Sequence, residues 1–308
     1  QSEQATAIRD VLLMELKKKN YGVVCGCGIR GIEKTAKGFT FHTKGGDFYA
    51  TKCIMATGGK TLKKSGSDGS GFLYLESLGH HIIDLVPGLI GLKGKQSFFV
   101  DIAGIRADAK VDLYIENAYV CSERGELQLT NYGISGIPVF QLSRVATRAL
   151  SEQKKVYATL NFVPFWEKEQ CLTYFKERFK EADEKRIGEA LIGFFPEKLI
   201  PVLLEEPHIK ASKYANRLQA EEIERFVDTA QGLRVDITDW NTFDTAQVTA
   251  GGVDTDEIDA ETMESKLCPG LYFAGEMVDI DGICGGYNLQ WAWSSGAVAG
   301  IHAARELS

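Results

Sequence analysis

The feature that most constrains this chain is the run of residues 271–300, whose character changes twice along its length. Residues 271–274 are apolar and include two aromatic side chains, as expected of a buried strand in a parallel sheet. Residues 275–285 are rich in glycine and acidic side chains, which predicts a loop at the carboxyl end of that strand. From Gly286 onward, small and apolar residues recur at helical spacing. The run therefore predicts a strand, a glycine loop and a helix in succession.

The predicted helix carries one stripe of apolar and small residues, which consists of Leu289, Trp293, Gly296 and Gly300. We expect the two glycines to let this helix approach the sheet closely. A helix that starts after a glycine loop commonly points at a ligand, because its free backbone N–H groups and its dipole attract negative charge. A tightly packed connection without any ligand is the alternative, and the pattern alone leaves it open.

The overall composition excludes several classes of protein. With 308 residues, 44% hydrophobic and 25% charged, the chain is long enough for one large domain or two ordinary ones. No apolar run reaches the roughly 18 residues of a membrane span, and no signal peptide opens the chain. We therefore expect a cytoplasmic protein with no membrane partner. The net charge of −7 argues against nucleic acid as the main partner.

Cysteine and histidine usage gives no sign of a metal site. The seven cysteines are odd in number and scattered, which suits a reduced cytoplasm better than a disulfide framework. The pair Cys25 and Cys27 has the wrong spacing for a zinc knuckle, and the five histidines show no ligand spacing. Cys284 is either a redox thiol or a small loop residue. We favour the second role, because no other cysteine lies near enough in sequence to form a C-x-x-C pair.

The glycines near the start of the chain formally match a dinucleotide-binding fingerprint, Gly26-x-Gly28-x-x-Gly31. That fingerprint requires a helix directly after the glycines. Residues 32–44 instead predict a strand with a turn, because apolar and polar side chains alternate there. We also predict a strand over residues 22–29. We therefore reject a phosphate-binding role for these glycines.

The segment LYFAGEMVDIDGICGGYNLQWAWSSG, preceded by AQVTAGGV, resembles the C-terminal signature of the HI0933-like bacterial flavoproteins, the aminoacetone-oxidase-like or BaiN-type family. The resemblance is long and specific, and it implies FAD as the cofactor. It implies that Gly275 and Glu276 lie by the ribityl and pyrophosphate groups. It also implies that the helix start faces the pyrimidine edge of the flavin, through Gly285, Gly286, Tyr287, Asn288 and Leu289. Reduced flavin carries negative charge at that edge, and a helix N-terminus stabilises such charge.

A second motif supports the same family. An apolar strand over residues 48–56 is predicted to end in Ala56, Thr57, Gly58 and Gly59. This ending is typical of flavoproteins with two dinucleotide-binding domains, where the glycines let the backbone approach the cofactor. The resemblance further implies a backbone contact to the adenine near Ile29. Asp281 either binds a ribityl hydroxyl or caps the turn, and Tyr287 either stacks near the cofactor or packs in the core.

The chain departs from the family pattern at two places. Asn131 stands where the family often has histidine, so no role of that imidazole carries over. Residues 60–64 lack the proline that usually follows A-T-G-G, so the shape of that loop does not carry over from the family.

These observations predict an α/β fold, in which a partial FAD/NAD(P)-binding Rossmann-like domain carries an inserted domain of β-barrel and helices. The predicted FAD domain is discontinuous and comprises residues 1–91 and 242–308. The predicted insert comprises residues 92–241. Its residues 92–163 alternate in short runs and predict an antiparallel sheet or small barrel, and its residues 164–234 show helical periodicity. We expect the insert to cover the flavin and to shape a substrate pocket at the interface.

Flavoproteins of this class hold the pyrophosphate on an N-terminal strand, G-x-G-x-x-G and helix. No such unit precedes Gln1, so the chain is either an excised piece of a longer protein or a paralogue without the unit. We favour excision, and we expect weak or absent FAD binding by this piece alone. For the parent we expect an FAD-dependent oxidoreductase that transfers hydride between flavin and a small organic substrate, with NAD(P)H or oxygen as the other partner. We name no catalytic base, because the flavin ring itself carries the redox chemistry.

Two other classes of function remain open at this point. One is a non-catalytic flavin-binding or redox-sensing module, and the other is a binding domain without a cofactor. Flavin absorbance and its bleaching by NADH distinguish the three.

Overall fold

The computed structural model describes residues 4–305, which divide into two compact units between Cys53 and Ile54. Gln1, on which the expectation of a preceding unit rests, lies outside the described residues. The α-helices are α1 (Ala5–Lys18), α2 (Ser70–Ser77), α3 (Ile137–Ser151), α4 (Lys168–Lys180), α5 (Ile187–Leu191), α6 (Ile200–Glu205), α7 (Ala220–Gly232) and α8 (Tyr287–Arg305). The strands are β1 (Ile29–Thr35), β2 (Gly38–Thr43), β3 (Gly46–Ala50), β4 (Cys53–Met55), β5 (Ile82–Gly88), β6 (Leu92–Gly94), β7 (Arg106–Ile115), β8 (Ala118–Thr130), β9 (Gly133–Gly136), β10 (Val156–Asn161), β11 (Leu233–Trp240), β12 (Val248–Val253) and β13 (Leu271–Phe273).

The first unit consists of helix α1 and an antiparallel sheet in the order β1-β2-β3. The predicted strand-and-turn after Gly31 is confirmed, because β1 and β2 form a hairpin there. The strand predicted over residues 22–29 is wrong. Residues 21–28 form no strand, and Gly26 has a left-handed φ of +68° that an extended ladder does not accept. The strand predicted over residues 48–56 is interrupted, since β3 ends at Ala50 and β4 begins at Cys53.

The central feature of the second unit is a closed antiparallel barrel in the order β10-β11-β6-β9-β8-β7. Side chains in β10 alternate between buried and half-buried positions, with Val156, Ala158 and Leu160 facing the core. Helix α3 packs on the barrel through Val139, Leu142, Ala146 and Ala149, which are all buried. The predicted mixed α/β fold with an antiparallel barrel is therefore confirmed.

Helices α4 to α7 lie between barrel strands β10 and β11 along the chain and enclose a cluster of aromatic rings. Phe175 lies at its centre, with the ring of Phe226 at 5.0 Å and that of Phe194 at 5.1 Å between centroids. Such edge-to-face pairs stabilise a core beyond the area that they bury. The helical character predicted for residues 164–234 is seen in these four helices, whereas the predicted domain boundaries remain predictions.

The remaining strands of the second unit position the segment with which the sequence analysis began. Strand β12 pairs antiparallel with β5, and β13 lies beside β4, where the Ala274 N–H donates to the Met55 carbonyl at 3.0 Å. The predicted order of strand, loop and helix is confirmed, because β13 ends at Phe273 and α8 begins at Tyr287.

The predicted contact face of α8 is wrong. The buried residues of this helix are Ser295, Ala299 and Ala303, and Leu289 and Trp293 are 68% and 51% exposed. Gly296 and Gly300 do not provide a close approach, since a Cβ added at either would meet no atom within 4 Å. Close packing comes instead from small side chains spaced four residues apart. The hydroxyl oxygen of Ser295 accepts from the Gly275 N–H at 2.9 Å, which fixes this face toward β13.

Candidate functional site

The candidate site is built around the turn that leads into α8. Gly275 follows β13 with a φ of +70°, and Gly285 and Gly286 have φ values of +118° and +95°. Side chains other than glycine rarely adopt these angles, so the sequence must supply glycine where the chain reverses. The turn is held to α8 by the Trp291 indole N–H, which donates to the Gly275 carbonyl at 3.0 Å.

A cleft of about 290 Å³ lies against this turn and the start of α8. Its apolar wall includes Leu89, Ile280 and Ile283, and the helix start contributes Gly285, Gly286, Asn288 and Leu289. A Cβ added to Gly286 would meet nothing within 4 Å, so the backbone there is open. The first N–H groups of a helix have no partner within the helix and carry partial positive charge. The cleft therefore combines an apolar wall with an edge that suits a negatively charged group.

The cleft brings together five of the predicted site residues: Glu276, Gly285, Gly286, Asn288 and Leu289. Gly275, Asp281 and Tyr287 lie in the same turn and helix start but do not line the cleft. Tyr287 is 59% exposed, so it does not pack in the core of the described structure. The predicted contacts of these residues with a cofactor remain predictions.

The four residues of the A-T-G-G motif follow β4 and pack against the same turn. Ala56 is exposed, and the Thr57 hydroxyl lies 3.1 Å from the sulfur of Met277. Gly58 has a left-handed φ of +74°. A Cβ on Gly59 would overlap Thr249 Oγ1 and Glu276 Oε1, so only glycine fits at that position. The motif thus allows a close approach between protein segments, in addition to any approach to a cofactor.

Glu276 joins three segments of chain around the cleft. Its Oε1 accepts from the Thr249 N–H at 2.7 Å and from the Thr61 hydroxyl at 3.5 Å. The Thr249 hydroxyl oxygen in turn accepts from the Lys60 N–H at 2.7 Å. The carboxylate therefore fixes the ends of β12 and of the A-T-G-G loop relative to the turn after β13.

Asn288 clamps the loop directly before the helix. Its Oδ1 accepts from the Gly282 N–H at 2.8 Å, and its Nδ2 donates to the Gly282 carbonyl at 2.9 Å. One side chain thus satisfies both backbone groups of Gly282, as a neighbouring strand would.

Asp281 has one definite partner in the structure. Its Oδ1 accepts from Arg144 Nη1 at 3.1 Å, and only 9% of its side chain is exposed. Burial raises the pKa of this carboxyl above its usual value, although the Arg144 guanidinium acts in the opposite direction. This contact ties the turn to α3, and the two roles predicted for Asp281, binding a ribityl hydroxyl or capping the turn, remain predictions.

Ile29 belongs to the first unit and is described within it. It begins β1 and lines an open cleft of about 540 Å³ together with Val24, Arg30 and Phe48. The predicted contact of its backbone with an adenine remains a prediction.

A Glu–His–Ser arrangement lies outside the cleft. His80 Nδ1 is 2.8 Å from Glu257 Oε2, and its Nε2 is 3.0 Å from Ser265 Oγ. The Ser265 residue is only 4% exposed, and its oxygen also accepts from the N–H groups of Leu267 and Cys268. A serine nucleophile must reach a substrate. This arrangement therefore ties the α2–β5 turn to residues 257–268 and is structural.

Between residues 4 and 305, no group of three or more His, Cys, Asp or Glu side chains is arranged to hold a metal ion. Within the same range, no helix has the length and apolar character to cross a membrane.

Sequence reasoning missed three residues of α3 that contact the loop before α8. Gln141, Arg144 and Arg148 reach Cys284, Asp281 and Asp279. For the two arginines the available signal was their spacing of four residues, which places both on one side of a helix, opposite an acidic pair two residues apart.

Comparison with known proteins assigns this chain to a family. The model of the family described as HI0933-like protein Rossmann domain matches residues 1–302. The chain is 41% identical over 303 residues to 3-dehydro-bile acid delta(4,6)-reductase of Clostridium scindens, which covers 98% of this chain and 74% of that protein.

Two further relatives carry another name. Ribosomal RNA dihydrouridine synthase of Escherichia coli is 28% identical over 296 residues, or 95% of this chain and 70% of that protein. The Haemophilus influenzae protein of the same name is 25% identical over 310 aligned positions, or 99% of this chain and 74% of that protein. The family match confirms the predicted Rossmann-type architecture: the chain belongs to the HI0933-like protein Rossmann domain family.

Proposed function

We propose that the protein is an FAD-dependent oxidoreductase that reduces a conjugated carbon–carbon double bond in an apolar small molecule. Family membership and the relative named as a reductase support the oxidoreductase class. The observation that carries the proposal is the open helix start at Gly286, which faces an apolar cleft. We propose NAD(P)H as the source of reducing equivalents.

The residues present fit a flavin. A flavin ring needs an apolar wall, and its pyrimidine edge needs backbone donors. Ile280, Ile283 and Leu89 provide the wall, and the backbone of Gly285 and Gly286 provides the edge. The cleft volume of about 290 Å³ lies at the small end of the usual range for ligand pockets, roughly 300–1,000 Å³. It therefore suits one ring system and not a complete dinucleotide.

Each part of the chain has a defined task in this proposal. A bound flavin supplies hydride transfer, which protein side chains cannot perform themselves. The N–H groups at the start of α8 stabilise negative charge at the edge of the cleft. Asn288 fixes the loop by its two hydrogen bonds to Gly282, and Glu276 fixes the neighbouring strand ends. With a flavin bound against it, the apolar wall would exclude water from the ring, which would strengthen these electrostatic interactions.

The proposed substrate class follows from the more similar relative. Its name describes a 3-oxo compound with double bonds at positions 4 and 6. A double bond conjugated to a carbonyl is electron-poor and accepts hydride at carbon. Reduction of uridine in ribosomal RNA is the second candidate, because two relatives carry that name. Uridine reduction is the weaker candidate, because those two relatives are less similar to this chain than the reductase is, and because a net charge of −7 repels RNA phosphates.

The proposal is tested by adding FAD to the purified full-length protein and following quenching of flavin fluorescence, because these 308 residues alone are expected to bind FAD weakly or not at all. The complex is then titrated anaerobically with NADH, and a 3-oxo-4,6-diene steroid is added. We expect binding, bleaching of the flavin absorbance and recovery of the absorbance with the steroid. The matched control is the 3-oxo steroid without the two double bonds, which should leave the flavin bleached. A bound flavin that NADH does not bleach would indicate a sensor, and failure to bind FAD would overturn the proposal.

A further inference from the structure

Helix α3 presents different side chains to three different surroundings. Val139, Leu142, Ala146 and Ala149 are buried against the barrel. The hydroxyls of Ser143 and Thr147 contact the backbone near β5, since Ser143 Oγ accepts from the Ile90 N–H and Thr147 donates to the Pro87 carbonyl. The third set of side chains, Gln141, Arg144 and Arg148, meets the loop before α8.

The contacts of this third set are spread along the loop. Gln141 Oε1 accepts from the Cys284 N–H at 2.9 Å, and Arg144 donates to Asp281 at 3.1 Å. Arg148 lies 3.6 Å from Asp279 Oδ1, which is an ion pair but too long for a good hydrogen bond. Gln141 and Arg144 therefore make the shorter contacts, and both act within the five residues before Gly286.

The structure of the loop shows why these contacts matter. Backbone pairing holds only the start of the loop, where Val278 forms a bridge with Val253 and the Asp279 N–H donates to the Val253 carbonyl at 3.0 Å. Residues 280–286 contain no helix or strand, so no ladder of backbone hydrogen bonds fixes them. Asp279 also anchors the start of the loop, because its Oδ1 accepts a hydrogen bond from the Gly251 N–H at 3.0 Å. Asn288 holds Gly282. The Cys284 N–H, next to the two left-handed glycines, is held by Gln141 of α3.

We propose that Gln141 and Arg144 are positioning residues of the cleft: they hold residues 281–284 so that the helix start at Gly286 keeps its orientation. Helix α3 thereby couples the barrel to the cofactor site. The role of the cleft in holding flavin rests on the proposed function. The hold of α3 on the loop rests on the contacts described here and does not depend on that function.

The contact of Arg144 with Asp281 differs from an ordinary surface ion pair. Exposed pairs contribute little, because water screens both charges. Here the carboxylate is 9% exposed, whereas the guanidinium is half exposed. A largely buried carboxylate with one charged partner is held in a defined place, even where its burial costs stability.

The first test measures hydrogen exchange of the backbone amides in residues 279–286, without added cofactor. Gln141→Ala and Arg144→Met each remove one contact between α3 and the loop. We expect amide exchange in the loop to become about tenfold faster, because exchange follows local opening and the loss of one such hydrogen bond shifts the opening equilibrium about tenfold. Gln141→Glu keeps an acceptor oxygen and should retain slow exchange. The matched control is Arg124→Met, which removes an exposed pair with Asp108 within the barrel. Slow exchange in β7 and β8 verifies that each variant is folded.

The second test measures the Kd of the full-length protein for FAD by quenching of flavin fluorescence. We expect Gln141→Ala and Arg144→Met to raise it about tenfold, and Arg124→Met and Gln141→Glu to leave it near the wild-type value. Unchanged loop exchange in both Gln141→Ala and Arg144→Met would overturn the hold of α3 on the loop. Faster exchange with unchanged Kd would overturn the positioning role. Absence of FAD binding by the wild type would overturn the proposed function, and the exchange result would still decide whether α3 holds the loop.

Discussion

At the scale of single residues, Gly286 is the position where backbone conformation and the proposed function meet. Its φ of +95° is accessible to glycine, and a side chain there would have open space around it. Substitution therefore acts through backbone strain and not through a clash. We expect Gly286→Ala to lower the free energy of unfolding by about 1–2 kcal/mol and Gly286→Leu to abolish FAD retention. Urea unfolding and flavin fluorescence measure the two effects.

Gly296 supplies the matched control, because it has the same open space but lies inside α8. Gly296→Ala should raise the free energy of unfolding by about 0.5–1 kcal/mol, since alanine favours a helix interior. If Gly286→Ala and Gly296→Ala change the free energy of unfolding equally, a side chain at position 286 does not strain the backbone.

Individual residues also show how far sequence reasoning extends. The glycines at 58, 275, 285 and 286 were predictable as special, because closely spaced glycines at a strand end predict unusual backbone angles. The constraint on Gly59 was not predictable from local sequence, because it arises from Thr249 and Glu276, which are distant in sequence. Gln141 was missed for the same reason. Its partner is a backbone N–H 143 residues away, and no local pattern encodes such a pairing.

At the scale of elements, the contact between α3 and the loop predicts how stability depends on pH. Burial raises the pKa of Asp281, so the folded chain keeps this proton at pH values where the unfolded chain has released it. This contribution to stability is complete below the unfolded pKa of about 3.9. It is lost as pH rises through the folded pKa. We therefore expect Asp281→Asn to gain stability relative to the wild type as pH rises from 4 to 7.

Urea unfolding at each pH measures this difference, and Asp108→Asn is the control for the loss of one exposed ion pair. The same Asp281→Asn variant should exchange its loop amides faster at pH 7, because it loses the charged contact with Arg144. If Asp281→Asn instead loses stability relative to the wild type as pH rises, the raised pKa assigned to the Asp281 carboxyl is contradicted.

Elements were predictable where their pattern is local. The start of α8 follows from the glycines before it, and the strands of β7, β8 and β10 follow from alternation. The face that α8 buries was not predictable, because Ser295, Ala299 and Ala303 are small and differ little in hydropathy from their neighbours. A barrel was predicted, but the pair of strands that closes it was not predictable, since β6 pairs with β11 across some 140 residues of chain.

At the scale of the whole molecule, net charge distinguishes the two candidate substrate classes. Lys and Arg number 35 against 42 Asp and Glu, so phosphates meet a net repulsion of −7 charges. Proteins that bind RNA obtain most of their affinity by neutralising phosphates, with a Kd for non-specific binding of about 10⁻⁴–10⁻⁶ M. The cleft at α8 instead offers an apolar wall of leucine and isoleucine.

We therefore expect the protein to bind a uridine-containing RNA hairpin with a Kd weaker than about 10⁻⁴ M at physiological salt. Fluorescence anisotropy of a labelled hairpin measures this, with the Escherichia coli relative named for RNA dihydrouridine synthesis as the comparison. A micromolar Kd that weakens steeply with salt would require a local basic surface that outweighs the net charge. In that case the RNA substrate would become the stronger candidate, and the apolar wall would have to accommodate a uracil ring instead of a steroid.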